Sequence, residues 1–449
     1  VERAVVLGGS YAGLLAARIL SSHAAEVLIV EQDILGGETV GRGAPHRRQL
    51  HVLLDMGRVL LERFFPGITE ELVRDGAHLG TGSTVKLYIG DVMKIPADNS
   101  MISATRPFLE DHIRRRVLAL PNVKTLTARA HDLVSSGGRI SGVRVSSPGD
   151  SPAPATQDTL EADLVVDAMG RSTRLGKWLE QHGWQQAPLD RLKLDLGYAT
   201  AFFHRGDELP DTVIAQVAPN PSSRSPEAPG NASVALAAVE GKRWAVALTG
   251  YATHRPGGDP EQFRDFMRQS VLPLRELAEC DMVGGVENSS FKESWRRDFT
   301  RLSRFPRGLV VIGDAMASVN PLYGQGLTLA ALQASALSAY LQSKPSPHDA
   351  AWGYFRRAAA VVNVAWQMAT FADLAQPHVT GPYPRGYEVL RRVNEMVTAA
   401  SISDSRVNQV LMDVLHLRTH PKALTRPTVL LRAAQTLLCH GQSRIGRAG

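Results

Sequence analysis

The chain has 449 residues, 44% of them hydrophobic and 21% charged, enough for two or three domains around a large buried core. A net charge of +6 spread along the chain suits anionic small molecules, and aromatics at only 6% argue against a nucleic-acid stacking surface. Two cysteines, Cys280 and Cys439, without a CxxC or metal-ligand spacing, argue against a disulfide framework or a metal site and fit a reducing cytoplasm.

Strand-like Arg3 to Leu7 begins almost at once, so no secretory signal is expected. Ala12 to Leu20 has helical periodicity and Glu26 to Val30 reads as a second buried strand, which together imply a right-handed βαβ unit. A helix is expected over His51 to Phe64. Another opens near Arg106-Pro107, with Pro107 suited to the first helical position. Its Arg114-Arg115-Arg116 run reads as an exposed helix face. Val123 to Ala128 and Arg139 to Val145 read as paired strands joined by a Ser-Ser-Gly-Gly turn, followed by an exposed loop, Ser146 to Asp158.

Asp163 to Ala168 is a buried strand, and from Tyr198 to Tyr251 the strands lengthen. Ser233 to Val239 and Trp244 to Tyr251 flank a hairpin turn at Glu240 to Arg243, and Pro219 to Gly230 is another loop. Gly308 to Ile312 returns to a buried strand, and from Leu327 the chain is almost wholly helical. Leu327 to Leu341 is too short to span a membrane, so no spanning helix is expected. The order predicts an α/β protein: a Rossmann-like nucleotide-binding domain, an inserted β-sheet substrate domain and a C-terminal helical region. The expected boundaries are 1–75, 100–195 and 295–345 for the nucleotide domain, 76–99 and 196–294 for the sheet, and 346–449 for the helical region.

Strand one ends in Gly8-Gly9-Ser10-Tyr11-Ala12-Gly13, a GxGxxG pattern with Ser10 at its second glycine position. Gly8 permits the tight turn, Gly13 close packing of helix on strand, and Ser10 is small enough for a pyrophosphate to approach the helix N-terminus. Glu31, beside Gln32 at the end of strand two, stands where a carboxylate accepts hydrogen bonds from an adenosine ribose. This context predicts a dinucleotide site. Three hundred residues later come Gly313-Asp314-Ala315 and Asn320-Pro321-Leu322-Tyr323-Gly324-Gln325-Gly326. An Asp just after a buried strand can accept from a sugar alcohol, and glycines opening a helix expose N–H groups suited to an anionic ring such as reduced flavin.

In these two motifs the chain resembles the flavoprotein monooxygenases of the aromatic hydroxylase and squalene epoxidase type, most of all bacterial epoxidases of polyketide biosynthesis. The resemblance covers the whole chain in outline, strongest at the two motifs and weakest through the middle sheet. It implies FAD as cofactor, with Asp314 on the ribityl chain and the segment Gly324, Gln325, Gly326, Leu327 and Thr328 at the pyrimidine end of the flavin, with Gly313 and Pro321 beside them. Two further segments match: Gly43 to His51, which would place Arg48 over the cofactor, and Ser103 to Arg106, with Arg106 as the contacting arginine. Ala130 would offer backbone contacts to adenine. One departure stands out. The aromatic hydroxylases carry an Asp-Gly pair serving FAD and NAD(P)H where this chain has Ala168-Met169-Gly170-Arg171-Ser172, which puts direct reduction by NAD(P)H in doubt and makes a separate flavin reductase an alternative electron source.

The resemblance implies transfer of one oxygen atom from O2, by way of a C4a-hydroperoxide of the flavin, to an apolar organic substrate. The cofactor carries that chemistry, so no catalytic triad is needed. The alternation Val234, Leu236, Ala238, Trp244, Val246 and Leu248 is expected to form an apolar wall, favouring epoxidation of a polyketide or terpenoid alkene. Aromatic hydroxylation, halogenation and prenyl-chain reduction are the alternatives on the same fold. The WxWxIP segment of halogenases is absent, although Lys86 after Gly82-Ser83-Thr84-Val85 resembles their lysine.

Overall fold

The computed structural model describes residues 1–33, 49–147, 158–218, 233–346 and 348–445. Five short apolar runs form one sheet in the order Leu309–Val311, Leu164–Asp167, Arg3–Leu7, Glu26–Glu31 and Val123–Thr127, and every neighbouring pair is parallel. Ala4 to Leu7 and Leu309 to Val311 are wholly buried, as strands covered on both faces must be. The helices Tyr11–Leu20 and Gly326–Gln342 pack against each other beside this sheet.

The expected pairing of Val123–Ala128 with Arg139–Val145 is not what the chain does. Val123–Thr127 completes the parallel sheet beside Glu26–Glu31, and Arg129–Ser136 is the hairpin partner of Arg139–Ser146. The chain turns at Ala128, whose N–H donates to the Glu31 carbonyl, so one β-prone run serves two sheets. The helix expected from His51 begins only at Asp55, because Val52–Leu53 pairs with Ile102 and Ser103. The helix Arg106–Leu118 is capped by Thr105, whose side chain accepts from the Phe108 N–H, and Pro107 takes its second position.

A larger, mostly antiparallel sheet has eight strands, in the order Ala317–Ser318, Met282–Arg297, Leu189–His204, Arg243–Tyr251, Ser233–Val239, Ile214–Ala218, Val85–Ile89 and Val92–Met93. Leu189–His204 and Met282–Arg297 are sixteen residues each and pair along most of their length. They therefore run through the positions 195/196 and 294/295, where the sequence placed its boundaries. Two short helices, Pro260–Arg268 and Leu272–Ala278, supply Phe263, Met267, Leu274 and Leu277 to a core over one face of this sheet.

In the C-terminal region Trp352–Asp373 packs on Gly326–Gln342 and shares the main core through Tyr354 and Phe355. Tyr387–Ala400, Ser405–Leu415 and the last helix build a small cluster of their own around Val397, Val407 and Ala433. Arg418 pairs with buried Asp55, and Asn408 Nδ2 donates to the Ile95 carbonyl at 2.6 Å, tying this cluster to the body. No helix among the described residues is long and apolar enough to cross a membrane.

Candidate active site

The carboxyl ends of the parallel strands open on a cavity of 2700 Å³. Ligand sites usually measure roughly 300–1,000 Å³, so this one has room for a dinucleotide and a second molecule together. Gly8, Glu31, Ala130, Met169 and Gly313, each at or just beyond a strand end, line it. Such strand ends are where open parallel sheets bind ligands.

The first turn is built for close approach. Gly8 has φ +106, and a Cβ there would lie 2.5 Å from the Ala168 carbonyl oxygen. A Cβ on Gly13 would lie 1.8 Å from the Gly8 oxygen, so only glycine lets the helix sit this tightly on the turn. Helix Tyr11–Leu20 has no side-chain cap and no acidic residue in its first turn. Its start is braced from the helix Arg106–Leu118. Buried Glu110 Oε1 accepts from Ser10 Oγ at 2.8 Å, from the Tyr11 N–H at 3.3 Å and from Arg106 Nε at 2.8 Å. Arg106 Nη2 also donates to Ser10 Oγ at 3.2 Å. Glu31 accepts from the Gly9 N–H at 2.7 Å and the Asp33 N–H at 3.0 Å, which fixes its carboxylate at the cavity edge.

The second motif faces the same space. The Gly313 N–H donates to buried Gln333 Oε1 at 2.6 Å, and Ser318 Oγ donates to Asp314 Oδ2 at 3.2 Å. Burial pushes the Asp314 carboxyl up, while the Arg106 and Arg171 guanidiniums pull against it. Gly324 adopts φ +65 after the turn Pro321–Tyr323, and the helix Gly326–Gln342 starts with neither a side-chain cap nor an acidic residue. A Cβ on Gly326 would meet nothing within 4 Å. Gln325 Oε1 is buried without a hydrogen-bond partner among the described residues.

Of the residues singled out in the sequence, Gly8, Ser10, Tyr11, Ala12, Glu31, Gln32, Arg106, Ala130, Gly313, Asp314, Pro321, Gly324, Gln325, Gly326 and Leu327 all line the cavity. Gly13 is not part of the lining and packs against the Gly8 carbonyl. Thr328 is buried where a Cβ on Gly57 would come within 2.5 Å of its hydroxyl, so it serves the packing of two helices. Arg48 lies outside the described residues. Lys86 is not part of the cavity lining, although its strand neighbours Leu87 and Ile89 are.

The expected apolar wall packs mostly away from the cavity. All six of its residues belong to the core under the helices Pro260–Arg268 and Leu272–Ala278, and only Val234 and Leu236 also border the cavity. The partly open positions of these strands are Ala235, Ala247 and Thr249, all on the cavity, and Arg243, which is not. Alternation specifies two faces but not which one a helix layer covers. The small residues left on the other face are what makes the cavity wide.

Three groups were missed in the sequence. Arg171 Nη1 donates to Ser318 Oγ at 2.7 Å, and its guanidinium lies 4.5 Å from the Phe291 ring centroid. Asp167, wholly buried, accepts from Thr173 Oγ1 at 2.6 Å and from the Met169 N–H at 3.0 Å, and burial raises its carboxyl to about 6. It is spent inside the turn, and none of Ala168 to Arg171 brings a carboxylate to the cavity. Asp373, also wholly buried, accepts from Asn320 Nδ2 at 2.7 Å, Tyr323 Oη at 2.8 Å and Tyr251 Oη at 3.3 Å. Burial pushes its carboxyl to about 6. A basic residue four positions after a strand of the nucleotide sheet was a signal for Arg171; Asp373 offered none.

No family model matches the chain. A mycobacterial relative, protein Rv3254 of Mycobacterium tuberculosis, is 31% identical over 420 residues, covering 90% of this chain and 87% of its own. The 6-methylpretetramide 4-monooxygenase of Streptomyces rimosus is 24% identical over 335 residues, 72% of this chain and 71% of that one. At 31% identity the chain belongs to one family with protein Rv3254, and its fold is that of the flavin-dependent monooxygenases. Solved structures share the family fold at low identity. The flavin-dependent brominase Bmp2 matches with TM-score 0.67 at 12% identity, covering 98% of this chain and 99% of its own. The p-nitrophenol 4-monooxygenase PnpA of Pseudomonas putida DLL-E4 matches with TM-score 0.65 at 15% identity, covering 93% and 99%. For a flavin-dependent monooxygenase the features above fit: a glycine cradle, two helix N-termini without a cap from their own first turn and a carboxylate after a buried strand, all turned to one space.

Proposed function

We propose that this chain binds FAD across the strand ends and uses it to insert one oxygen atom of O2 into a large apolar substrate, with alkene epoxidation of a polyketide or terpenoid as the preferred reaction. The pyrophosphate lies at the N-terminus of Tyr11–Leu20, Glu31 and Gln32 meet the adenosine ribose, and Ala130 the adenine. Asp314 holds the ribityl chain, and the amides of Gln325 to Leu327, after the Gly324 turn, meet the pyrimidine end of the ring, with Arg106 beside the cofactor. Bound and reduced, FAD supplies the oxygen-activating chemistry. The protein binds, orients and keeps bulk water from the reacting atoms.

The observation that carries this reading is the continuity of the cavity. The two glycine-rich motifs and the small-residue face of the large sheet border a single 2700 Å³ space. Ala235 and Ala247 leave room over an apolar surface, which suits a broad hydrocarbon skeleton better than a small charged phenol. The electron source is NAD(P)H or a separate reductase; with Asp167 turned inward, the second is favoured.

Isotopically labelled O2 tests the reaction. FAD-loaded protein, reduced chemically and given a polycyclic alkene and a polycyclic phenol, should yield product carrying one labelled oxygen atom, in the alkene first. Product without label, or flavin reoxidation with no product from either, contradicts the reading. Anaerobic mixing with NADPH and then NADH identifies the electron source. Prompt bleaching assigns direct reduction, and persistent yellow colour assigns a reductase.

A further inference from the structure

The cavity's far wall holds a cation that the cofactor reading does not use. Lys94 follows the edge strand Val92–Met93, and its N–H donates to the Leu87 carbonyl at 2.7 Å. The residue is 8% exposed and lines the cavity. Its ammonium has no hydrogen-bond or ion-pair partner among the described residues, and burial alone pushes it down to about 8.

Strand register shows what lies between Lys94 and the cofactor end. Leu87 pairs with Gln216, Gln216 with Ala235, Ala235 with Ala247, and Ala247 with Thr200. Opposed residues of neighbouring strands share a face, so Lys94, Leu87, Gln216, Ala235, Ala247 and Thr200 form one row, and all six line the cavity. At about 4.8 Å per strand the row runs roughly 24 Å along the sheet. At its Thr200 end, Thr200 Oγ1 bonds Gln49, and the backbone N–H of Leu50 donates to Thr200 Oγ1 at 3.4 Å. His51, next in the chain, is held neutral by burial and by the Arg106 guanidinium, which also acts on Asp314. That end adjoins the flavin site. Lys94 is the only charged side chain in the row, at its opposite end.

An ammonium buried beside Leu87 in this wall without an acceptor carries an open desolvation cost. A ligand that is apolar along its length and anionic at one end removes that cost and fills the row. We infer that Lys94 anchors an anionic oxygen, a carboxylate or an ionised phenol or enol, at the distal end of an elongated multi-ring substrate. The anchor then decides which carbon lies at the flavin end, so it governs position of attack as well as affinity. This rests on the proposed cofactor site for its sense of direction, and Lys94 acts in binding, far from the reacting atoms.

Calorimetric titration of the FAD-loaded protein with anthracene-2-carboxylate and with its neutral amide tests the inference, and 2-hydroxyanthracene separates a phenol from a carboxylate as the preferred oxyanion. The wild type should bind the acid roughly ten- to a hundredfold more tightly than the amide, the range of one charge-assisted hydrogen bond. Lys94→Met should erase that preference with amide affinity retained, and Lys94→Arg should keep most of it. Ligand-free Lys94→Met should also melt at a higher temperature than the wild type, whereas a residue needed for folding would melt lower. Equal affinity for acid and amide, an unchanged preference in Lys94→Met, or no binding of any probe overturns the inference. Flavin absorbance of the same samples reports separately on the cofactor site, so failure of one reading is distinguishable from failure of the other.

Discussion

The two ends of the cavity are made by different means. At the nucleotide end the backbone does the work: Gly8 and Gly13 bring a helix start against a strand end, Glu31 and Glu110 accept from the Gly9 and Tyr11 N–H groups at 2.7 and 3.3 Å, and Arg106 holds Glu110 at 2.8 Å. At the substrate end the backbone is ordinary sheet, and the space comes from Ala235 and Ala247 opposite a thick core under two helices. A cofactor of fixed shape suits the first construction, and a family of substrates the second. Changes at the nucleotide end should therefore be severe and specific to FAD, whereas changes in the sheet should leave FAD in place.

Gly13→Val gives the largest expected effect. With the Gly8 oxygen 1.8 Å from the new Cβ, the helix must shift, at a cost of several kcal/mol, roughly 3 or more. Flavin absorbance after reconstitution should be lost, and retention of full FAD content would break the comparison. Asp373→Asn comes next and acts on the loop before Gly324. The folded-state value of about 6 lies above the ordinary 3.8, so the protonated form is favoured by folding. That contribution is present in full below pH 4 and is lost as pH rises through about 6. At pH 8 the asparagine variant should be more stable than the wild type by roughly 2–3 kcal/mol, and the gap should close toward pH 4. Melting temperatures across that window check it, and a gap that widens in acid contradicts it.

Asp314→Ala should weaken FAD binding by about 1.5–3 kcal/mol, one charge-assisted hydrogen bond, without changing affinity for an anthracene probe. Ala247→Leu should do the reverse. FAD content should stay whole while the probe binds about tenfold more weakly, as roughly 1–3 kcal/mol of overpacking implies. A joint loss of flavin and probe in either variant would merge the two ends into one unit. Glu31→Ala is the mildest, about 1 kcal/mol in FAD affinity, because its carboxylate also spends itself on the Gly9 and Asp33 N–H groups. Fluorescence titration with FAD measures both carboxylate variants.

The nucleotide end was legible in the sequence because its signals are local: glycines at fixed spacing, a short apolar strand before them, and Glu31 at the close of the next strand. The second motif was legible for the same reason, and the parallel sheet followed from the buried runs. The substrate end was not. Alternation from Ser233 to Tyr251 marked two faces, and the large residues were assigned to the cavity, but the helices Pro260–Arg268 and Leu272–Ala278 claim that face. Asp373 acquires its place through Tyr323, Asn320 and Tyr251, which are 50, 53 and 122 residues away, and Lys94 through the pairing of its neighbour Leu87 with distant Gln216; no short window along the chain contains either. The edge strand Val123–Thr127 was misassigned because β-propensity says that a segment is extended without saying which neighbour it joins.

The central claim is that this fold holds FAD between Gly8 and Leu327, and flavin stoichiometry after reconstitution tests it most directly. Purified chain incubated with excess FAD and freed of unbound cofactor should retain about one flavin per chain, with a visible absorbance band that Gly13→Val abolishes. A wild-type chain that stays colourless, or flavin retained equally by Gly13→Val, would contradict the account.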